Sequence, residues 1–254
     1  MINDLKYLFE EQEVYDLAEH ILKSNKRRLI TDIAISKIPY VSYPDCSANQ
    51  SLIIHELAEY LLKTAKNNND SNELSITLDL SEKHNIEDGI LSILQKTGIC
   101  YGTKYDTDIF ADPLSMHLIR AAKGITVINM HNHPSCSSFS TTDLSFFLRE
   151  STIKMMVVVG NSGELYYLSK DKNYNHDKAR KYLTDAAYII KPDILEYQNV
   201  SMLELRQIAD LFLKNCYKFG INYEHVLGSN KELQNIKENI NISDIESEEE
   251  EYDR

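Results

Sequence analysis

The feature that most constrains the fold is a pair of short apolar runs, residues 125–130 and 155–159, with a helical segment between them. Runs of this length, rich in Val, Ile and Met, suit strands buried on both faces. Residues 140–152 carry a helical pattern. Asn161-Ser162-Gly163 reads as a hairpin turn leading into a further strand at 164–168. The first strand runs directly into His131-Asn132-His133-Pro134, so the strand order also decides where those histidines lie.

Flanking segments extend this pattern. Residues 74–80 alternate apolar with polar, the period of a half-buried strand, and 90–103 contain another. Asp112-Pro113 opens a helix that Gly124 can end. Apolar positions at helical spacing predict helices over 3–25, over 50–66, and from 176 onward, including 201–218. The polar run 67–72 reads as a linker or tight loop and a plausible domain boundary. The expected organisation is therefore a helical N-terminal region (1–66), a core (73–170), C-terminal helices (176–228) and an acidic, disordered tail (229–254). The class is α/β (α+β), with helical additions at both ends.

Charge narrows the range of partners. Lys and Arg number 27 against 39 Asp and Glu, a net charge of −12. Seven acids against one Arg in the last eleven residues carry half of it, leaving a mildly acidic body. Such a body does not adhere to phosphate backbones without a local basic patch, which disfavours a nucleic-acid partner. Cys46, Cys100, Cys136 and Cys216 form no C-x-x-C pair, so neither a disulfide framework nor a zinc ribbon is expected. The N-terminal stretch lacks a signal-peptide pattern, and no apolar run approaches the roughly 20 residues of a membrane span. A cytoplasmic protein is expected.

The chemistry concentrates at 131–143. Residues i and i+2 of a strand project to one side, so His131 and His133 can aim both imidazoles at one point. Asp143, on the first turn of the following helix, adds a carboxylate. Two nitrogens and one oxygen leave a fourth tetrahedral position open, as in catalytic rather than structural zinc sites. Ser140-x-x-Asp143 is also a helix-capping box, and one carboxylate can serve both purposes. His55-Glu56-Leu57-Ala58-Glu59 resembles half of a zincin helix, but the second histidine is absent; these are polar residues of an amphipathic helix.

The string His131-Asn132-His133-Pro134-Ser135-Cys136-Ser137-Ser138-Phe139-Ser140-Thr141-Thr142-Asp143 resembles the signature of the JAMM (MPN+, JAB-domain) zinc metallopeptidases. The bacterial and phage RadC-like branch is nearest, where HNHPSG is followed by S-x-x-D. The resemblance covers about 73–170 and implies a JAMM/MPN-like, cytidine-deaminase-like core: a mixed sheet flanked by helices. It implies Zn2+ held by His131, His133 and Asp143, an oxyanion-stabilising Ser140, and an upstream glutamate as general base. Glu73, at a strand start, matches that glutamate, with Glu87 and then Glu82 as alternatives. Two departures stand out. Cys136 replaces the usual Gly, which matters if that position needs φ > 0. The interval from His133 to Ser140 is also one residue short of the commonest form.

The function implied is zinc-dependent hydrolysis of a peptide or isopeptide bond in a polypeptide, including ubiquitin-like substrates. Two alternatives belong to other classes. A non-catalytic JAMM-fold scaffold for protein binding would hold zinc without peptidase activity. A DNA-associated RadC-like protein would bind DNA in a salt-sensitive way.

Overall fold

The computed structural model describes residues 27–82, 84, 86, 89–192 and 200–227. In chain order these form α1 (Asp32–Ser36), α2 (Ala48–Asn68), β1 (Leu74–Asp79), α3 (Ile90–Leu94), β2 (Gly98–Tyr101), a 3-10 turn (Ile109–Ala111) and α4 (Pro113–Ala121). They continue with β3 (Val127–His133), α5 (Thr141–Arg149), β4 (Ile153–Gly160), β5 (Leu165–Lys170), α6 (His176–Ile190), α7 (Met202–Asn215), a second 3-10 turn (Cys216–Phe219) and β6 (Ile221–Val226). The strands make one sheet in the order β2-β1-β3-β4-β5-β6. All neighbours are antiparallel except β3 and β4, which run parallel with α5 between them in the chain. The structure is thus mixed α/β, with a six-stranded mixed sheet flanked by helices.

The period of two sorts each strand onto two cores. Ile76 of β1, Met130 of β3 and Val157 of β4 pack with Ile53, Leu57 and Leu61 of α2 on one face. Val127 of β3 and Met156 and Val158 of β4 pack on the other with Leu144 and Phe147 of α5 and Phe212 of α7. Both faces are therefore covered, which is why β4 carries the unbroken run Met155–Val159 and why those residues are 0 % exposed. By the same alternation, residues 131 and 133 of β3 fall on the α5 face.

Local signals set the helix ends. Ser47 with Gln50, Ser140 with Asp143 and Ser201 with Glu204 each form a reciprocal capping box at the starts of α2, α5 and α7. The Asp112 side chain accepts from the Ser115 N–H ahead of Pro113, as the sequence predicts. Among the described residues, no helix is long and apolar enough to cross a membrane.

Several expectations need correction. Residues 67–72 do not separate two bodies: α2, before them, and β1, after them, share one core. The tight-loop alternative is the one observed: α2 runs on to Asn68 and the chain then turns, with Asp70 and Ser71 at φ 49° and 56°. The region 176–228 is not purely helical, because β6 joins the sheet beside β5. Gly124 does not cap α4, which ends at Ala121 with Ala122 already extended. The short α3 precedes the strand expected within 90–103. The helix predicted over 3–25 and the acidic tail 229–254 lie outside the described residues.

Candidate metal centre

The site forms where the C-terminal end of β3 meets the N-terminal end of α5. His131 Nε2 and His133 Nε2 lie 3.1 Å apart. Asp143 Oδ1 is 3.4 Å from His131 Nε2, and Oδ2 is 3.5 Å from His133 Nε2. His131 and His133 are buried, and the Asp143 side chain is 16 % exposed. The three residues singled out as ligands in the sequence thus converge on one point.

Hydrogen bonding orients one imidazole. His133 Nδ1 lies 2.9 Å from the Ser137 carbonyl. A carbonyl only accepts, so Nδ1 carries a proton and Nε2 is the nitrogen that faces His131 and Asp143. His131 Nδ1 is buried with no hydrogen-bond partner among the described residues. All of that ring's bonding therefore falls to Nε2.

The donor set fits a tetrahedral cation better than a shared proton. One proton between the two Nε2 atoms would satisfy one edge of the triangle and leave the other two. Those two, at 3.4 and 3.5 Å, exceed the 2.7–2.9 Å typical of charge-assisted hydrogen bonds. Ligand bonds of about 2.0–2.1 Å to tetrahedral zinc place donors roughly 3.3 Å apart. All three observed edges, 3.1 to 3.5 Å, match that spacing.

Ser140 orients the carboxylate. Its N–H and its hydroxyl both donate to Asp143 Oδ2, each at 2.7 Å, while Asp143 N–H donates back to Ser140 Oγ. Burial alone would raise the Asp143 pKa, but His131, His133 and Ser140 hold its carboxyl below the usual carboxylate range. It is an anion at neutral pH. Ser140 does not line the cleft beside the donors, and its hydroxyl proton is engaged with Asp143.

Glu73 is the second carboxylate at the site. It immediately precedes β1, and the pairing of Ser75 with His131 brings it to the level of His133. Its ligand atom and those of His131 and His133 all lie within 4.8 Å of one another. Glu73 is 7 % exposed; burial pushes its carboxyl up to about 7, with His133 opposing the rise and Asp143 adding to it. Two carboxylates therefore compete for the third ligand position. Asp143 fits it better, being ionised and within 3.5 Å of both imidazoles. Glu73, poised between charged and neutral forms, suits proton exchange. Of its rivals, Glu82 is paired with Lys96 at 3.8 Å, and Glu87 lies outside the described residues.

Sequence reasoning missed a device that helps place Glu73. Asn132, between the two histidines, is fully buried. Its Oδ1 accepts from the Leu74 N–H at 2.8 Å, and its Nδ2 donates to the Asn72 carbonyl at 3.1 Å and to Asn161 Oδ1 at 2.8 Å. Asn161 Nδ2 in turn donates to the carbonyls of Arg28 and Ser71. Two carboxamides thus tie both flanks of Glu73 to the histidine strand. The hint in the sequence was Asn, a residue able to donate and accept at once, at the centre of the motif.

The chain matches no protein-family model, no curated protein and no solved structure.

Proposed function

We propose that the protein is a zinc-dependent hydrolase of the JAMM metallopeptidase type, cleaving a peptide or isopeptide amide in a polypeptide substrate. The observation that carries this reading is the triangle of His131, His133 and Asp143 donors, with 3.1–3.5 Å edges and Glu73 beside it. The donors are those for which the motif resemblance implies zinc binding. Bound zinc would supply Lewis acidity, activating water and polarising the amide carbonyl.

The chain's own groups account for the rest. Glu73, buried beside the donors, takes a proton from the attacking water and delivers it to the leaving amine. Ser140 keeps Asp143 ionised and oriented; a role in stabilising the oxyanion requires its hydroxyl to turn away from Asp143. Conjugates of ubiquitin-like proteins, the family's usual substrates, are among the candidate substrates.

The test is hydrolysis of a peptide library and of a ubiquitin-like fusion, followed by mass spectrometry. Cleavage should disappear with a chelator and return with zinc. Glu73→Gln should retain zinc and lose roughly 10²–10⁴-fold in turnover, whereas Glu87→Gln should be near neutral. Zinc binding without cleavage of any polypeptide would favour the scaffold reading, and activity in Glu73→Gln would remove its assigned role.

A further inference from the structure

The donor triangle opens into a cleft of about 230 Å³ whose lining includes Glu73, His131 and Asp143. Ile109, Phe110, Phe146 and Met156 supply apolar lining to the same cleft. This is below the roughly 300–1,000 Å³ of pockets for drug-sized ligands. It has room for a single side chain.

The helix α5 sets the direction of the cleft. Asp143, Phe146 and Arg149 are spaced i, i+3 and i+6, and all three line it, so they share one helical face. Phe146 sits about 4.5 Å along the axis from Asp143 at 1.5 Å per residue. That is within reach of a side chain attached next to an amide held at the donors. Phe110, on the 3-10 turn, faces Phe146 edge-on with centroids 5.9 Å apart. Two rings from separate elements thus form one wall, with Met156 of β4 as a fully buried apolar surface.

Charge separates the possible occupants. The Arg149 guanidinium lies over the Phe146 ring, Cζ 5.8 Å from the centroid, and its Nε is bonded to Glu150 Oε1. It therefore braces the wall. Glu73, Asp108 and Asp143 also line the cleft, so an acidic side chain meets repulsion. Asp108 is exposed and accepts the Phe110 N–H, while Glu73 and Asp143 are engaged with the histidines, so no carboxylate of the lining is left as a free buried partner for a basic group.

Building on the proposed peptidase activity, we infer that this cleft is a specificity pocket: it takes an uncharged apolar side chain, leucine- to phenylalanine-sized, on the residue next to the scissile amide. A Gly-Gly tail would leave it empty. The protein then prefers an apolar-flanked polypeptide to a glycine-tailed, ubiquitin-like one.

Two measurements test this. The first compares kcat/KM of the zinc-loaded protein on peptides differing only beside the scissile bond: Leu, Phe, Gly, Lys or Glu. Leu and Phe should exceed Gly by at least about tenfold, the discrimination an apolar pocket supplies. Phe110→Ala, on a half-buried ring, should pull that ratio towards one; Phe146→Leu should lower it less. Equal rates for Gly and Leu, or a preference for Lys or Glu, would overturn the pocket while leaving the peptidase assignment intact. The second measurement needs no activity. In metal-free protein with 13C-methyl methionine, the Met156 resonance should shift on titration with N-acetyl-leucinamide and not with N-acetylglycinamide. If no peptide is cleaved, the peptidase reading fails and this titration alone decides the pocket: a leucinamide-specific shift supports it, and no shift overturns it.

Discussion

The Asn132 carboxamide accepts the Leu74 main-chain N–H at 2.8 Å, taking the place of a ladder bond just beyond the last β1–β3 pair, Ser75 with His131. With the bond from Asn132 Nδ2 to the Asn72 carbonyl, it brackets Glu73 on both sides. Asn132 is therefore a positioning residue: its side chain does not line the cleft, yet it helps set where the Glu73 backbone lies, alongside the Glu73 N–H bond to the Thr103 carbonyl and the Gly102 N–H and Asn69 carboxamide bonds to the Glu73 carbonyl. Asn132→Ser should keep zinc, lower kcat at least about tenfold with little change in KM, and speed amide exchange at Leu74. Because the loss acts through Glu73, it should nearly vanish in a Glu73→Gln background, a coupling that a double-mutant cycle measures. Additive losses would mean Asn132 serves the fold generally.

Cys136 occupies φ 57°, the left-handed conformation that costs a non-glycine residue roughly 1–2 kcal/mol. Positive φ, the condition under which a residue other than Gly matters at this position, is thus met. Its Sγ lies 2.9 Å from Ser162 Oγ, a contact that offsets part of the strain. Cys136→Gly should be neutral to about 1 kcal/mol more stable, since relieved strain outweighs the added unfolded-chain freedom. Cys136→Val, β-branched, should lose at least about 1 kcal/mol. Urea denaturation of the three proteins checks both signs.

Lys170 is an unusual buried cation. Its Nζ donates to the Glu150 carbonyl at 3.0 Å and lies 4.7 and 4.9 Å from the Phe147 and Tyr174 ring centroids. Burial pulls its pKa down to about 7, with Glu150 pulling it the other way. The unfolded chain, titrating near 10.4, binds more protons than the native state between about pH 7 and 10, so this group makes stability rise with pH across that window. Below about 7 both states are protonated and the cost is constant. Lys170→Met should flatten the rise between pH 7 and 9. It should add on the order of 1–4 kcal/mol at pH 6, the lost ring contacts reducing the gain. Unfolding free energies of both proteins at pH 6 and 9 test this.

Much of the site was legible because its chemistry is local. His131, His133 and Asp143 fall within thirteen residues, and both the strand period and the Ser140 cap that aim them are sequence patterns. Glu73 needed the register of β1 against β3, and a single sequence does not print strand order. The partners of Asn132 were hidden for the same reason: all lie at least 29 residues away. The strand β6 escaped because Ile221-Asn222-Tyr223-Glu224-His225-Val226 is a half-polar edge strand whose identity comes from pairing with β5. The domain-boundary reading of 67–72 misled because polar turn residues look alike whether they join domains or clamp a site.

Zinc stoichiometry tests the central claim most directly. Elemental analysis after dialysis against zinc and then buffer should give about one zinc per chain in the wild type and in Glu73→Gln. His131→Ala and Asp143→Ala should retain almost none. A wild type without zinc would contradict the metal centre. Loss in Glu73→Gln with retention in Asp143→Ala would exchange the two carboxylates and overturn the assignment of Glu73 as the base.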